Sequence, residues 1–198
     1  MIPKDPIEVF KKHGGQLRMK EAMIAGISRY RLYNLRDKGI IEQVSRGIYR
    51  LVELPPLSNP DLATVSLRYP NSVICLISAL AFHNITTQIP HEVSIAVERK
   101  TRLPALEYPP ISSHRFSRDA FKAGIEEHKI DGITVKVYNP EKTIADCFKF
   151  RNKLGMEIVL EALKLYKSRR KFKINSLLKY ARICRVEKII KPYLEAMI

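Results

Sequence analysis

The 198-residue chain has no apolar run approaching the ~18 residues a membrane-spanning helix needs. Its first residues, Met1-Ile2-Pro3-Lys4-Asp5, lack the apolar core of a signal peptide. Cysteine is scarce: Cys75, Cys147 and Cys184 stand far apart with no C-x-x-C pair, which fits neither a disulfide framework nor a zinc site. Catalytic signatures are missing too. There is no H-E-x-x-H, no glycine-rich phosphate loop, no G-x-G-x-x-G and no G-x-S-x-G. The five histidines (His13, His83, His91, His114, His128) are scattered, and His83, closing an apolar stretch, reads as a structural histidine. These absences predict a reduced, cytoplasmic protein with no membrane contact, no catalytic residue, no metal and no cofactor.

Acidic residues are the other shortage, 20 against 35 Lys+Arg, for a net charge of +15. The surplus is uneven. Residues 1–54 carry 11 basic and 6 acidic side chains (+5), residues 55–140 carry 9 and 8 (+1), and residues 141–198 carry 15 and 6 (+9). Two basic ends flank a nearly neutral middle, a distribution suited to a polyanionic partner.

The chain opens with Pro3-Lys4-Asp5-Pro6, and Pro6 to about His13 reads as a short helix with Ile7, Val9 and Phe10 inward, stopped by Gly14-Gly15. A second short helix is expected from Met19 to Ala25, with Met19, Ala22 and Met23 at helical spacing. Gly26-Ile27-Ser28 then gives a tight turn, an apolar plug and an N-cap. A third helix runs from about Arg29 to Lys38 and stops at Gly39. Beyond it the period changes: Ile40–Val44 and Ile48–Val52 read as strands joined through Ser45-Arg46-Gly47. Three short helices followed by a hairpin is the order of a winged helix-turn-helix.

At ~100° per residue, Leu32 and Leu35 of the third helix lie together and, with Ser28 and Gly39, define an inward face. Tyr30, Tyr33, Asn34 and Asp37 then point outward, flanked by Arg29 and Arg36 on one side and Arg31 and Lys38 on the other. Asn pairs bidentately with adenine, Arg with guanine, and Tyr reaches phosphates or thymine methyls. Arg46 sits at the wing tip. The expected double-stranded-DNA contacts are therefore Tyr30, Tyr33 and Asn34 on base edges with Arg29 beside them, on a helix begun by Ser28. Lys20, Arg36, Lys38 and Arg46 would contact phosphates.

Leu54-Pro55-Pro56-Leu57-Ser58-Asn59-Pro60 is proline-rich and marks the expected boundary. This divides the chain into a DNA-binding domain (1–54), a linker (55–60) and a C-terminal domain (61–198). In the last, Asp61–Tyr69 looks helical, Ser72–His83 reads as a buried helix from about Ser78 with room for a strand before it, and Glu92–Glu98 and Ile133–Tyr138 read as strands. Leu103–Arg115 reads as irregular. From Asn139 the chain is helical: Asn139-Pro140-Glu141 caps one helix, and others cover about Met156–Lys167, Asn175–Cys184 and Val186–Met197. The run Arg169-Arg170-Lys171-Phe172-Lys173 reads as a solvated loop or a secondary phosphate-binding surface. The predicted class is α+β, a winged helix-turn-helix followed by a helix-rich α+β domain.

Glu98-Arg99-Lys100 after a strand matches the acid-x-Lys part of metal-dependent nuclease sites, but Glu92 and Asp61 are poorly placed as the second carboxylate such a site needs. A nuclease is thus one alternative. A winged-helix regulator whose second domain senses a ligand or partner is another.

The runs Ala25-Gly26-Ile27-Ser28, Leu32…Leu35…Lys38-Gly39-Ile40-Ile41 and Val44-Ser45-Arg46-Gly47-Ile48-Tyr49-Arg50 resemble the winged-helix domain of AbiEi-type antitoxins, transcriptional regulators of type IV toxin–antitoxin and abortive-infection systems. Similar too are Ser78-Ala79-Leu80-Ala81-Phe82-His83-Asn84-Ile85-Thr86, Ile89-Pro90, the stretch from Asn139 to Phe148, Leu160-Glu161-Ala162-Leu163 and Pro192-Tyr193-Leu194-Glu195. The resemblance implies a prokaryotic two-domain repressor that binds inverted repeats upstream of its own operon. It also implies a C-terminal domain that counteracts a nucleotidyltransferase-like toxin without a stable complex. The family's DNA role carries over to Arg29, Tyr30, Tyr33, Asn34 and Arg46.

Overall fold

The computed structural model describes residues 5–103 and 105–196, so Pro3, Lys4, Pro104 and Met197 lie outside the described residues. The chain forms two compact units. The first comprises residues up to Pro70 together with His128–Val135, and the second holds Asn71–Glu127 and the chain from Lys136 onward.

The first unit runs α1 (Pro6–Lys12), β1 (Gln16–Arg18), α2 (Met19–Ile24), α3 (Arg29–Asp37), β2 (Ile41–Ser45), β3 (Ile48–Leu51) and α4 (Pro60–Arg68). Asp5 caps α1 through its carboxylate, which accepts from Ile7 N–H, and Pro6 sits in the first turn, where its missing donor costs nothing. The sheet order is β1-β3-β2, all antiparallel, with Leu17 opposite Tyr49 and Ile41 opposite Leu51. Its helices bury Val9, Phe10, Ala22, Ile27 and Leu32 against Leu17, Ile41, Tyr49 and Leu51. Full burial of a side chain such as Phe10 contributes about 1.5–3 kcal/mol.

Two expectations for this unit are corrected. Met23, placed inward by spacing, is 45% exposed, because the six-residue α2 turns only Ala22 into the core. Ser28 and Gly39 are exposed, so Ile27 and Leu32 fix α3 to the core, with Leu35 half-buried. The strand β1 was not foreseen; three residues are too few for any period to register. The proline-rich stretch is also firmly held. Ser58 donates from its N–H and Oγ to Asp131 Oδ2 at 2.8 Å each, and Arg50 bonds the Pro55 carbonyl. Asn59 caps α4, which groups with the first unit, and that unit extends along the chain to Pro70.

The second unit contains β4 (Val73–Ile74), α5 (Leu76–Phe82), β5 (Val93–Glu98), β6 (Ile111–Phe116), α6 (Arg118–Lys122), and the hairpin β7 (Ile125–Ile130) and β8 (Ile133–Tyr138), whose tip groups with the first unit. Then follow α7 (Pro140–Lys149), α8 (Arg151–Leu154), α9 (Met156–Lys167), α10 (Ile174–Cys184) and α11 (Glu187–Glu195). The strand order is β6-β5-β4-β8-β7. Two edge strands were not foreseen. β6 (Ile-Ser-Ser-His-Arg-Phe) and β7 (Ile-Glu-Glu-His-Lys-Ile) carry the polar and charged side chains that keep an edge from pairing with another chain, and these mask the alternation of a strand. β5 is covered on both faces, so Ser94 and Ala96 are buried along with Val93, Ile95 and Val97.

The class is α+β, and the second core centres on α7, buried from Glu141 to Phe148. Its polar groups find partners inside: Lys142 Nζ lies 2.5 Å from Asp146 Oδ2, Cys184 Sγ donates to Asp146 Oδ1 at 3.2 Å, and Tyr166 Oη donates to Glu141 at 2.5 Å. Lys142 also lies over the rings of Tyr138 (4.1 Å) and Phe116 (4.9 Å). Burial pushes the Asp146 carboxyl upward, against the pull of Lys142. Cys75 and Cys147 are buried free thiols whose pKa values burial also raises, so neither is poised as a nucleophile.

Candidate nucleic-acid interface

The presentation of α3 is dictated at both ends. Ser28 is extended and its Oγ accepts from Arg31 N–H at 3.3 Å, which starts the helix directly after the buried plug Ile27. At the other end Lys38 is the C-cap and Gly39 takes φ +69°. Ile40 N–H then reaches the Leu35 carbonyl and Gly39 N–H the Arg36 carbonyl, the paired bonds of a Schellman stop. Between these ends Leu32 is wholly buried, which fixes the rotation of the helix.

The opposite face is therefore outward. Tyr30 is 78% exposed and Tyr33 40%; Arg29, Arg31, Arg36 and Lys38 are exposed and Asn34 is half-buried. Asp37, which suits a DNA-facing surface least, has a local role. Arg36 donates to its Oδ1 from Nη2 (2.8 Å) and Nε (3.0 Å) and lies 5.1 Å from the Tyr33 ring centroid. The bond to Asp37 raises the Arg36 pKa, so the guanidinium stays charged.

The wing is a hairpin with a register shift between Gln43 and Ser45 and Gly47 at φ +77°. That geometry projects Arg46 into solvent at the tip. Met19 N–H bonds the Gly47 carbonyl at 2.8 Å, tying the turn of the wing to the start of α2. Lys20, Arg29 and Arg46 consequently line one cleft of about 660 Å³, together with Met23, Ile24 and Arg68. Arg68 was not anticipated, because it lies on α4, beyond the segment that reads as a winged helix. Lys20, Arg29 and Arg46 make no ion pair among the described residues, whereas Arg18, on the same cleft, is paired with Glu21.

The secondary basic run does not act as a block. Arg169 is half-buried and donates to the carbonyls of His83 and of Asn84 (3.0 Å), so its guanidinium braces a loop and is not offered to solvent. Arg170, Lys171 and Lys173 are exposed, and Phe172 packs edge-on against Tyr166. His83 is the structural histidine expected: its Nε2 lies 2.7 Å from the Tyr138 carbonyl. Glu98 and Lys100 are exposed beside the end of β5, Glu92 is exposed ahead of it, and Asp61 opens α4 in the first unit. No cluster of three or more His, Cys, Asp or Glu able to hold a metal occurs among the described residues.

Residues 4–52 match the family described as "Transcriptional regulator, AbiEi antitoxin". No curated protein sequence matches the chain. Among solved structures, the crystal structure of the RV2827C protein from Mycobacterium tuberculosis is similar, with a TM-score of 0.57 at 15% identity over 88% of this chain and 69% of that one. At that identity the likeness is one of fold. No helix among the described residues is long and apolar enough to cross a membrane. The matched segment coincides with the helices, the capped α3 and the wing described above, so over residues 4–52 this chain is similar to the AbiEi antitoxin family of transcriptional regulators.

Proposed function

We propose that this protein is a sequence-specific, double-stranded-DNA-binding repressor and the antitoxin of a type IV toxin–antitoxin system. It negatively autoregulates its own promoter by binding inverted repeats upstream of its operon in the cytoplasm. One observation carries the reading: a helix locked to the core through Ile27 and Leu32 holds Tyr30, Tyr33, Asn34 and four cations outward, beside a cationic wing tip. An aromatic- and cation-bearing helix of this kind suits the major groove, with Tyr30, Tyr33 and Asn34 on base edges and Arg29 alongside. Lys20, Arg36, Lys38 and Arg46 set register on phosphates, and Arg170, Lys171 and Lys173 add a weaker basic surface. The second unit counteracts a nucleotidyltransferase-like toxin without forming a stable complex with it.

The test is fluorescence anisotropy of the full chain on its own upstream duplex and on a scrambled duplex, from ~50 to ~200 mM salt. A preference for the upstream duplex that survives the higher salt supports the repressor. Equal affinities that collapse together with salt refute it. Co-expression with the neighbouring toxin gene then tests the antitoxin role: growth must be rescued, and the two proteins must not co-purify.

A further inference from the structure

The central strand of the first unit, β3, is buried along its whole length. Leu17, Tyr49 and Leu51 turn to the helical core, so strand alternation sends Gln16 and Arg50, which lie opposite one another on β1 and β3, to the other face. Both are buried, at 3% and 6% exposed. Gln16 nonetheless has no hydrogen-bond partner at Nε2 or Oε1 among the described residues, and Arg50 has none at Nε. A buried carboxamide left unpaired is unfavourable, and folds rarely keep one without a use for it. Both residues line a cavity of about 460 Å³, within the range of small-molecule sites, whose walls include Gly14, Leu51, Leu54 and Pro55.

The charges on this cavity decide what it can hold. Lys11 pairs with Glu53 at 3.4 Å, the Arg50 Nη atoms reach Glu42 and the Pro55 carbonyl, and Asp131 accepts from Ser58. Each charged side chain on the wall therefore has a partner, which disfavours an ionised ligand. What is left over is one neutral donor–acceptor pair and a single N–H. We propose that this cavity binds a neutral nucleobase or nucleoside, its ring between the apolar walls and its donor–acceptor edge on Gln16. Adenine is the base whose edge a glutamine amide matches with two bonds, and Arg50 Nε donates to a further acceptor on the ligand. The carboxamide atoms are closed to solvent, so the Gln16 side chain turns toward the cavity as the base enters. The site shares no residue with the cleft that Lys20, Arg29 and Arg46 line, and it stands whether or not α3 reads DNA.

Isothermal titration of the full chain, without DNA, tests the site. The probes are adenosine and purine riboside, which keeps the ring but lacks the exocyclic amine. Adenosine binds, and purine riboside binds at least ~tenfold more weakly, because a site that pairs a polar edge rejects a ligand lacking it. Gln16→Leu lowers adenosine affinity at least as far. Its thermal melt stays at or above the wild-type midpoint, since an unpaired buried amide has been removed. In heteronuclear NMR spectra of isotope-labelled wild-type protein, adenosine shifts the one side-chain amide signal that Gln16→Leu lacks. Equal binding of the two nucleosides refutes the pairing, and so does adenosine binding unchanged in Gln16→Leu. Should Gln16→Leu fail to fold, the two nucleosides still decide. No binding of adenosine, cytidine or uridine at ~10 mM refutes the site altogether and leaves the carboxamide as a group served by water.

Discussion

Base reading and phosphate anchoring by the first unit can be separated with two substitutions. Asn34 is half-buried on the outward face of α3, with a carboxamide that can pair bidentately with one adenine; losing such a pair costs about 1–3 kcal/mol, or roughly 5- to 150-fold in affinity. Asn34→Ala therefore lowers affinity for the operator by that factor and leaves scrambled DNA untouched. It does not weaken the fold, because alanine is the better helix former at an interior position of α3. Arg46 differs in kind. It is exposed at the wing tip with no ion-pair partner among the described residues, so its charge is free for one phosphate.

Removing one phosphate contact lessens the salt slope by about 0.9. Over a fourfold rise in salt the wild-type advantage over Arg46→Ala should then shrink by roughly 3.5-fold, on specific and scrambled duplexes equally. Anisotropy titrations at several salt concentrations read both effects. If Asn34→Ala weakens both duplexes alike, or Arg46→Ala affects only the operator, the docking of α3 in the groove is wrong. The two roles would then have to be exchanged or abandoned.

Asp37→Ala releases Arg36 from its bonds and removes a negative charge from the proposed DNA-facing helix, so affinity for any duplex should rise and the salt slope steepen; anisotropy again decides. Gly14→Ala places a Cβ 2.8 Å from the Gly132 carbonyl oxygen at φ +74°, and urea denaturation should show a loss of about 2–5 kcal/mol. Lys142→Met strands the Asp146 carboxylate in the second core, at a cost of about 3–5 kcal/mol in the same assay. Lys142→Met with Asp146→Leu should recover most of it. Burial, assisted by the Lys153 charge and opposed by Glu92, holds His114 below its ordinary value of 6.5. The unfolded chain therefore takes up the proton first, and stability present above 6.5 drains as pH falls through the folded-state value. His114→Phe, which keeps the ring against Phe150, should flatten thermal stability between pH ~7 and ~5.

What could be read from the sequence follows from where each signal resides. α3 was legible because its boundaries lie in side chains and backbone freedom at fixed offsets: a serine whose oxygen caps the first turn, and a glycine able to take positive φ after the last. α7 was legible for the same reason, with Asn139 accepting from Lys142 N–H at 2.9 Å and Pro140 in the first turn. β1 stayed hidden because its identity comes from a partner, the Arg50 side of β3, and not from its own three residues. The edge strands β6 and β7 stayed hidden because edges are protected by the very side chains that erase a strand pattern. The buried pair Lys142–Asp146 stayed hidden too. Lys and Asp at i and i+4 read as a solvent-exposed pair on any helix, and only the covering of α7 by β-strands and by α9 and α10 makes the pair internal.

The interface divides along the same line. Tyr30, Tyr33, Asn34 and the flanking arginines lie on one helix, so a single rotation about one axis, set by Leu32, orders them all, and a sequence supplies that rotation directly. Arg68 has no such axis in common with them. Its place beside Arg29 and Arg46 depends on how the chain returns after the proline-rich stretch, which Arg50, Asn59 and the Ser58–Asp131 bonds pin to the first unit. Exposed Met23 and Ile24 were hidden for the converse reason: periodicity assigns apolar residues inward, and it has no means of marking one that the fold leaves outside. A surface is therefore readable from sequence where one element carries it. Where several elements meet, as α2, α3, the wing and α4 do around Arg68, the neighbours are set by the fold and not by the period of any one element.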